Sequence, residues 1–135
     1  MKVTLGIGCD RGTPVETIDH AVQEALARAG AVTGDVVAVA SIDLKADEVG
    51  LLALARQHGW PIHFHPAAAL AAVPVPNPSE TVRKHTGTPS VSEAAALLEA
   101  EADASHLLVE KHKVRGADGR HATVSIAKMP SRKSE

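Results

Sequence analysis

Three short stretches of this chain carry side chains suited to holding an anion. The first is Gly6-Ile7-Gly8-Cys9-Asp10-Arg11-Gly12-Thr13. Its glycines let backbone N–H groups turn outward, and Arg11 offers a planar fork that matches carboxylate or phosphate. The second is Ser41-Ile42-Asp43-Leu44-Lys45, a polar run directly after the apolar Val36–Ala40. Ser41 and Lys45 are donors there, and Asp43 either orients Lys45 or accepts from a ligand hydroxyl or amide. The third pairs Asn77-Pro78-Ser79-Glu80 with Thr86-Gly87-Thr88-Pro89-Ser90. Asn77, Ser79, Thr88 and Ser90 mark helix starts, where exposed N–H groups and the positive end of the helix dipole attract anions. Each stretch also has a plainer reading: a tight turn, a helix cap, a surface lysine.

Charge is unevenly spread. Residues 1–107 hold 7 Lys and Arg against 13 Asp and Glu, a net −6, while residues 108–135 hold 7 against 3, a net +4. Lys111, Lys113 and Arg115 are thus candidates to line an anion site, the alternative being a solvated hairpin. His63 and His65 stand two apart on an expected strand and share a face, which is half of a metal site. No third ligand has clear spacing, so no metal is predicted. Cys9 sits near a helix N-terminus, where a thiolate is stabilised. It reads as a small packing residue within the binding turn, and no catalytic residue is assigned.

These positions need a scaffold. Val3–Ile7 reads as a buried strand. Thr13-Pro14-Val15-Glu16 reads as a capping box that opens a helix ending at Gly30. Val36–Ala40 is a second strand, about 47–58 a second helix, and Pro61–His65 a third strand. Pro66–Val73 reads as one or two helical turns, and Val73–Pro78 as a stiff loop. A short helix is expected through about His85, and another at Ala94–Leu98 behind Ser90-Val91-Ser92-Glu93. Ser105–Glu110 and His121–Ala127 read as strands joined by a turn at Arg115–Gly119. This order predicts a three-layer α/β/α sandwich with a mixed, mostly parallel sheet and a C-terminal β-hairpin. Ligands of such sheets bind at the carboxyl ends of the strands.

The 135 residues are 44% hydrophobic and 22% charged, as in an ordinary globular domain, here expected over 1–129 with a disordered tail at 130–135. Trp60 and Phe64 are the only aromatic residues of the Phe, Trp and Tyr type. A flat ligand therefore cannot be gripped by stacked rings and must be held by polar groups. One cysteine excludes an internal disulfide. The N-terminal apolar run is too short for a signal peptide, no run approaches the ~20 apolar residues of a membrane span, and the net charge of −2 disfavours nucleic acid. A cytoplasmic protein without a cofactor, a membrane partner or a nucleic-acid partner is expected.

The same motifs, with Ala40–Glu48, Val75–Glu80 and Gly87-Thr88-Pro89-Ser90-Val91, resemble the CobE family of cobalamin biosynthesis proteins, which is homologous to the C-terminal domain of CbiG. The resemblance runs to about Ala127. It departs from the family at Asp10, where arginine is common, and at Glu110, which replaces a proline. It implies a role in the corrin pathway, with a small-molecule corrin or precorrin intermediate and other pathway enzymes as partners. A ligand with many carboxylate arms suits Arg11, Lys45, Lys111 and helix N-termini. Two rival readings stand beside it. Gly6-x-Gly8 with Asp43 echoes a dinucleotide-binding enzyme, though the glycine spacing is one residue too long. A ligand-free module docking on a pathway enzyme is the other.

Overall fold

The computed structural model describes residues 1–75 and 91–130. Its five strands are β1 (Val3–Cys9), β2 (Val36–Ile42), β3 (Ile62–His65), β4 (Leu107–Arg115) and β5 (His121–Lys128), in the sheet order β3-β2-β1-β5-β4. β1, β2 and β3 pair in parallel, β5 is antiparallel to β1, and β4 is antiparallel to β5. Four strands thus run one way, and the last two form the hairpin. The described helices are α1 (Val15–Ala29), α2 (Val49–His58), α3 (Ala67–Ala71) and α4 (Val91–Ala100).

The sheet is covered on both sides. Val3, Leu5 and Ile7 of β1 face α1 and α2, with Ile18, Val22, Leu51 and Leu54 buried against them. Ala40 and Ile42 face the other layer, where Leu70 of α3 meets Ala94 and Ala95 of α4. The mixed α/β sandwich is therefore the fold of this chain. Gly30 and Gly59 end α1 and α2 with φ of 70° and 71°, a conformation that costs other residues a Cβ clash.

The near absence of aromatics has a geometric result. α4 presents mostly alanine to the sheet, so its backbone comes very close. A Cβ placed on Gly6 would lie 1.9 Å from the Ser92 carbonyl oxygen and 2.6 Å from the Ala96 nitrogen. Thr4 seals the same contact, its hydroxyl donating to the Ala96 carbonyl at 2.7 Å. Ser125, opposite Gly6, has its hydroxyl 2.8 Å from that of Ser92.

Some boundaries differ from expectation. α1 has no capping box: Pro14 is its N-cap, and the Thr13 hydroxyl instead donates to the Asp10 carbonyl at 2.6 Å. α2 begins at Val49 because Asp43–Lys45 forms a 3-10 turn first. The fourth strand is displaced. Ala104–His106 is a 3-10 turn, and β4 runs on through Lys111, His112 and Lys113 to Arg115. The helix expected through His85 and most of the stiff loop lie outside the described residues, as do residues 131–135 of the tail.

Gly6 and Gly8 lie on the same face of β1, yet no described atom comes within 4 Å of a Cβ placed on Gly8. Gly6→Ala must push α4 off the sheet, so thermal denaturation should show a loss on the order of 1–3 kcal/mol or failure to fold. Gly8→Ala should change stability by less than about 0.5 kcal/mol.

Candidate anion-binding site

On the α4 face no described atom comes within 4 Å of a Cβ placed on Gly8, so the described helices leave the last rungs of the sheet uncovered. Register defines what lines them. Gly8 pairs with Thr123, which pairs with Lys113. One rung further out, the Asp10 N–H donates to the His121 carbonyl at 3.0 Å, and His121 pairs with Arg115. Residues opposite one another in a ladder project to the same side. A shelf therefore runs across the sheet from Lys113 and Arg115, over Thr123 and His121, to Gly8 and Asp10. His112 and Val114 alternate to the other side, where His112 meets Glu24 and Arg28 of α1.

The shelf is cationic at both ends. Lys113 and Arg115 are exposed, and neither forms an ion pair with a described residue. Lys45, at the carboxyl end of β2, likewise pairs with no described residue, and its charge acts on Cys9 and Asp10. Lys111 lies one step below Lys113 on the same side, with its ammonium 3.4 Å from the fully buried Glu93 carboxylate in the first turn of α4. Asp10 is the acid on this rim. Desolvation pushes its carboxyl up, but the N–H and imidazole of His121 and the charge of Lys45 outweigh that and hold it below the usual range.

The sequence candidates divide sharply. Gly8, Lys45 and Lys111 stand on or beside the shelf. Arg11 does not: its guanidinium donates to Asp47 at 2.7 Å and to the Leu44 carbonyl at 2.6 Å, with Glu48 at 3.6 Å. The Gly12 N–H is occupied too, donating to the Glu48 carboxylate at 3.1 and 3.2 Å. Thr13 is buried on the Asp10 carbonyl, and Ser41, fully buried, donates to the Ile7 carbonyl at 2.6 Å. Asp43 is exposed and forms no ion pair with Lys45. Asn77, Ser79, Thr88 and Ser90 lie outside the described residues.

Cys9 points to the α1 side, partly buried against the core. Desolvation pushes its thiol up to about 11, with Lys45 opposing. A thiol so placed is protonated at neutral pH and suits packing, not nucleophilic attack. His63 and His65 do share a face, and the structure supplies the partner that spacing could not. The Glu99 carboxylate of α4 lies between them, 2.9 Å from His63 Nδ1 and 3.0 Å from His65 Nε2. Among the described residues no cluster has metal-holding geometry.

One pair went unseen in the sequence. Asp10 Oδ2 accepts from the His121 backbone N–H at 2.8 Å and lies 3.2 Å from His121 Nδ1. The two residues are 111 positions apart, and only the antiparallel pairing of β1 with β5 joins them. The basic run Lys111-x-Lys113-x-Arg115 was visible as a local excess of positive charge, and the extension of β4 to Arg115 is what puts all three on one side.

Residues 3–127 match the family described as Cobalamin synthesis G C-terminus. The chain belongs to that family. It is 40% identical over 127 residues to Protein CobE of Sinorhizobium sp, covering 93% of this chain and 79% of that protein. It is 34% identical over 128 residues to a cobalt-precorrin-5A hydrolase of Priestia megaterium, covering 95% of this chain but only 32% of the hydrolase. The crystal structure of CobE, a protein from the cobalamin (vitamin B12) biosynthetic pathway, superposes with a TM-score of 0.79 at 34% identity, covering 98% of this chain and 93% of that one. The chain is a cobalamin biosynthesis protein of the CobE and CbiG C-terminal type. None of its described helices is long and apolar enough to cross a membrane.

The placement of Cys9 sets its reactivity. With a thiol at about 11, only about one molecule in ten thousand is thiolate at pH 7. Iodoacetamide labelling should be slow at pH 7 and rise about tenfold per pH unit up to pH 10. Lys45→Ala removes a favourable charge, so its labelling at pH 9 should be slower still. Rapid labelling at pH 7, followed by mass spectrometry, would contradict this placement.

Proposed function

We propose that the shelf binds a polycarboxylated precorrin or corrin intermediate of cobalamin synthesis by its acidic side arms. The observation that carries this reading is the set Lys45, Lys113 and Arg115. These are three cations on one rim, around a glycine floor, none of them in an ion pair with a described residue, against Asp10 as the described acid there. Proteins seldom leave such charges gathered without use, because like charges repel and raise the free energy of the compact state. A ligand bearing several carboxylates relieves that repulsion. Its ring can lie over Gly8, where no described atom comes within 4 Å of an added Cβ.

Charge-assisted contacts at exposed sites are modest singly and add up when several close on one ligand. Each well-formed contact contributes about 1.5–3 kcal/mol, and three or four of them, less the cost of association, give roughly micromolar affinity. The kinship supports the same ligand class, since one relative is a hydrolase of cobalt-precorrin-5A. This chain spans about a third of that relative's length. Other enzymes of the pathway are the natural partners that would deliver or receive the intermediate.

The dinucleotide reading fares worse. In that fold the amides of the glycine turn must face a phosphate. Here the Glu48 carboxylate holds the Gly12 amide, and Asp47 holds Arg11. A phosphate would have to displace two carboxylates.

Anaerobic absorbance titration with cobalt-precorrin-5A tests the proposal. Binding should be micromolar, and a rise from 50 to 500 mM salt should weaken it several-fold. Lys113→Ala and Arg115→Ala should each cost about tenfold in Kd or more. Lys128→Ala, at the opposite end of β5, should leave affinity unchanged. Equal losses in all three variants, or stronger heat of binding with NADH or ATP, would refute the shelf as the site.

A further inference from the structure

The imidazole of His121 is held at one nitrogen and has no partner among the described residues at the other. Asp10 Oδ2 lies 3.2 Å from Nδ1 and also accepts the His121 backbone N–H at 2.8 Å, so the carboxylate is fixed with respect to the ring. An ionised carboxylate can only accept. Nδ1 must then carry the proton of the neutral imidazole, which leaves the lone pair on Nε2. Nε2 bonds to no described residue. His121 shares the side of the sheet that holds Gly8 and Thr123, and Arg115 is its cross-strand partner. With the side chains of His121 and Asp10 43% and 55% exposed, a ligand on the shelf can reach the pair.

We propose that Asp10 and His121 form a proton-transfer dyad for the ligand on the shelf, with His121 Nε2 as the base. This rests on the reading that the shelf is the ligand site. Asp10 is the positioning residue: it fixes the tautomer and balances the imidazolium charge, the relation that gives a histidine base its direction. The substrate class is a carbon acid, a C–H next to an imine of the conjugated macrocycle. Nε2 takes that proton, the C–H electron pair forms a new C=C bond, and the imine π pair moves to nitrogen. The nitrogen takes a proton from water, and the imidazolium later returns one to solvent. The product is an enamine tautomer. No oxidant, reductant or leaving group is required. Lys113 and Arg115 share the His121 side of the sheet, where positive charge would favour the electron density that moves to the imine nitrogen. Cys9, on the other side of β1 with a protonated thiol, does not compete as a nucleophile.

Two measurements test the dyad. Long-range proton–nitrogen NMR of the 15N-labelled chain at pH 8 should show His121 as the Nδ1–H tautomer, with the preference lost in Asp10→Asn. Incubation with cobalt-precorrin-5A in D2O should then give deuterium incorporation by mass spectrometry. That rate should fall about 100-fold or more in His121→Gln, and clearly in Asp10→Asn, while Kd stays within about threefold. An Nε2–H tautomer, or equal incorporation in the wild type and His121→Gln, overturns the dyad with ligand binding intact. Absence of binding in the titration instead fails the functional reading, and the dyad falls with it.

Discussion

The closeness of α4 to β1 at Gly6 decides the shape of this molecule. Helix and strand backbones meet there with no side chain between them, and the Thr4 hydroxyl and the Ser92–Ser125 pair lock the contact on either side. An alanine-faced helix can approach a sheet only where the sheet offers glycine or small residues. That condition holds at Gly6. Two residues later Gly8 faces the same way, with no described atom within 4 Å of an added Cβ. The shelf is the part of the sheet beyond this contact that the described helices leave uncovered.

The charges follow from this division. Basic side chains near the rim are of two kinds. Arg11 and Arg120 are structural: Arg11 ties the turn after β1 to the loop before α2, and Arg120 Nε donates to the Arg11 carbonyl at 2.8 Å while its guanidinium meets Asp118. They fix the loops around the site. Lys45, Lys113 and Arg115 have no such task among the described residues. Arginine with its rigid fork is well suited to bridging backbone and carboxylate, and Arg11 and Arg120 do this. The presence of a motif arginine in a glycine turn is therefore weak evidence for ligand contact until its partners are known.

Much of the fold was legible, and the misses share a cause. Val3–Ile7 is buried on both faces, Val36–Ala40 is buried except at Val37, and both read as continuous apolar runs. β4 was misplaced because, among the described residues, apolar side chains cover only its α1 face. Val109 and Val114 pack on the α1 side, whereas Lys111, Lys113 and Arg115 face the open shelf. A strand that borders a site carries polar residues where a buried strand carries valine, so hydropathy alone truncates it. The capping box at Thr13 failed for a similar local reason, since the hydroxyl found the Asp10 carbonyl before it found the helix. Ser41 looked like a donor to a ligand because it follows an apolar run. It is in fact the last inward residue of that run, closing the ladder on the Ile7 carbonyl. The partnership of Asp10 with His121, and of Glu99 with two histidines, depends on strand pairing and layer packing. No local pattern encodes either.

The scarcity of aromatic rings, which first suggested recognition by charge, also bears on how a large macrocycle could be held. A protein that stacks on a ring binds its face and tolerates changes at its edge. A cationic shelf does the opposite: it reads the positions of the carboxylate arms and leaves the face of the ring uncovered. In a pathway whose intermediates share their acidic arms, such a site would accept several successive species with similar affinity. Discrimination among them would have to come from the floor at Gly8 and from the groups beside it. Thr123, beside Gly8, is the neutral polar side chain of that floor, and it, not the lysines, is where selectivity in binding one ring state would be built.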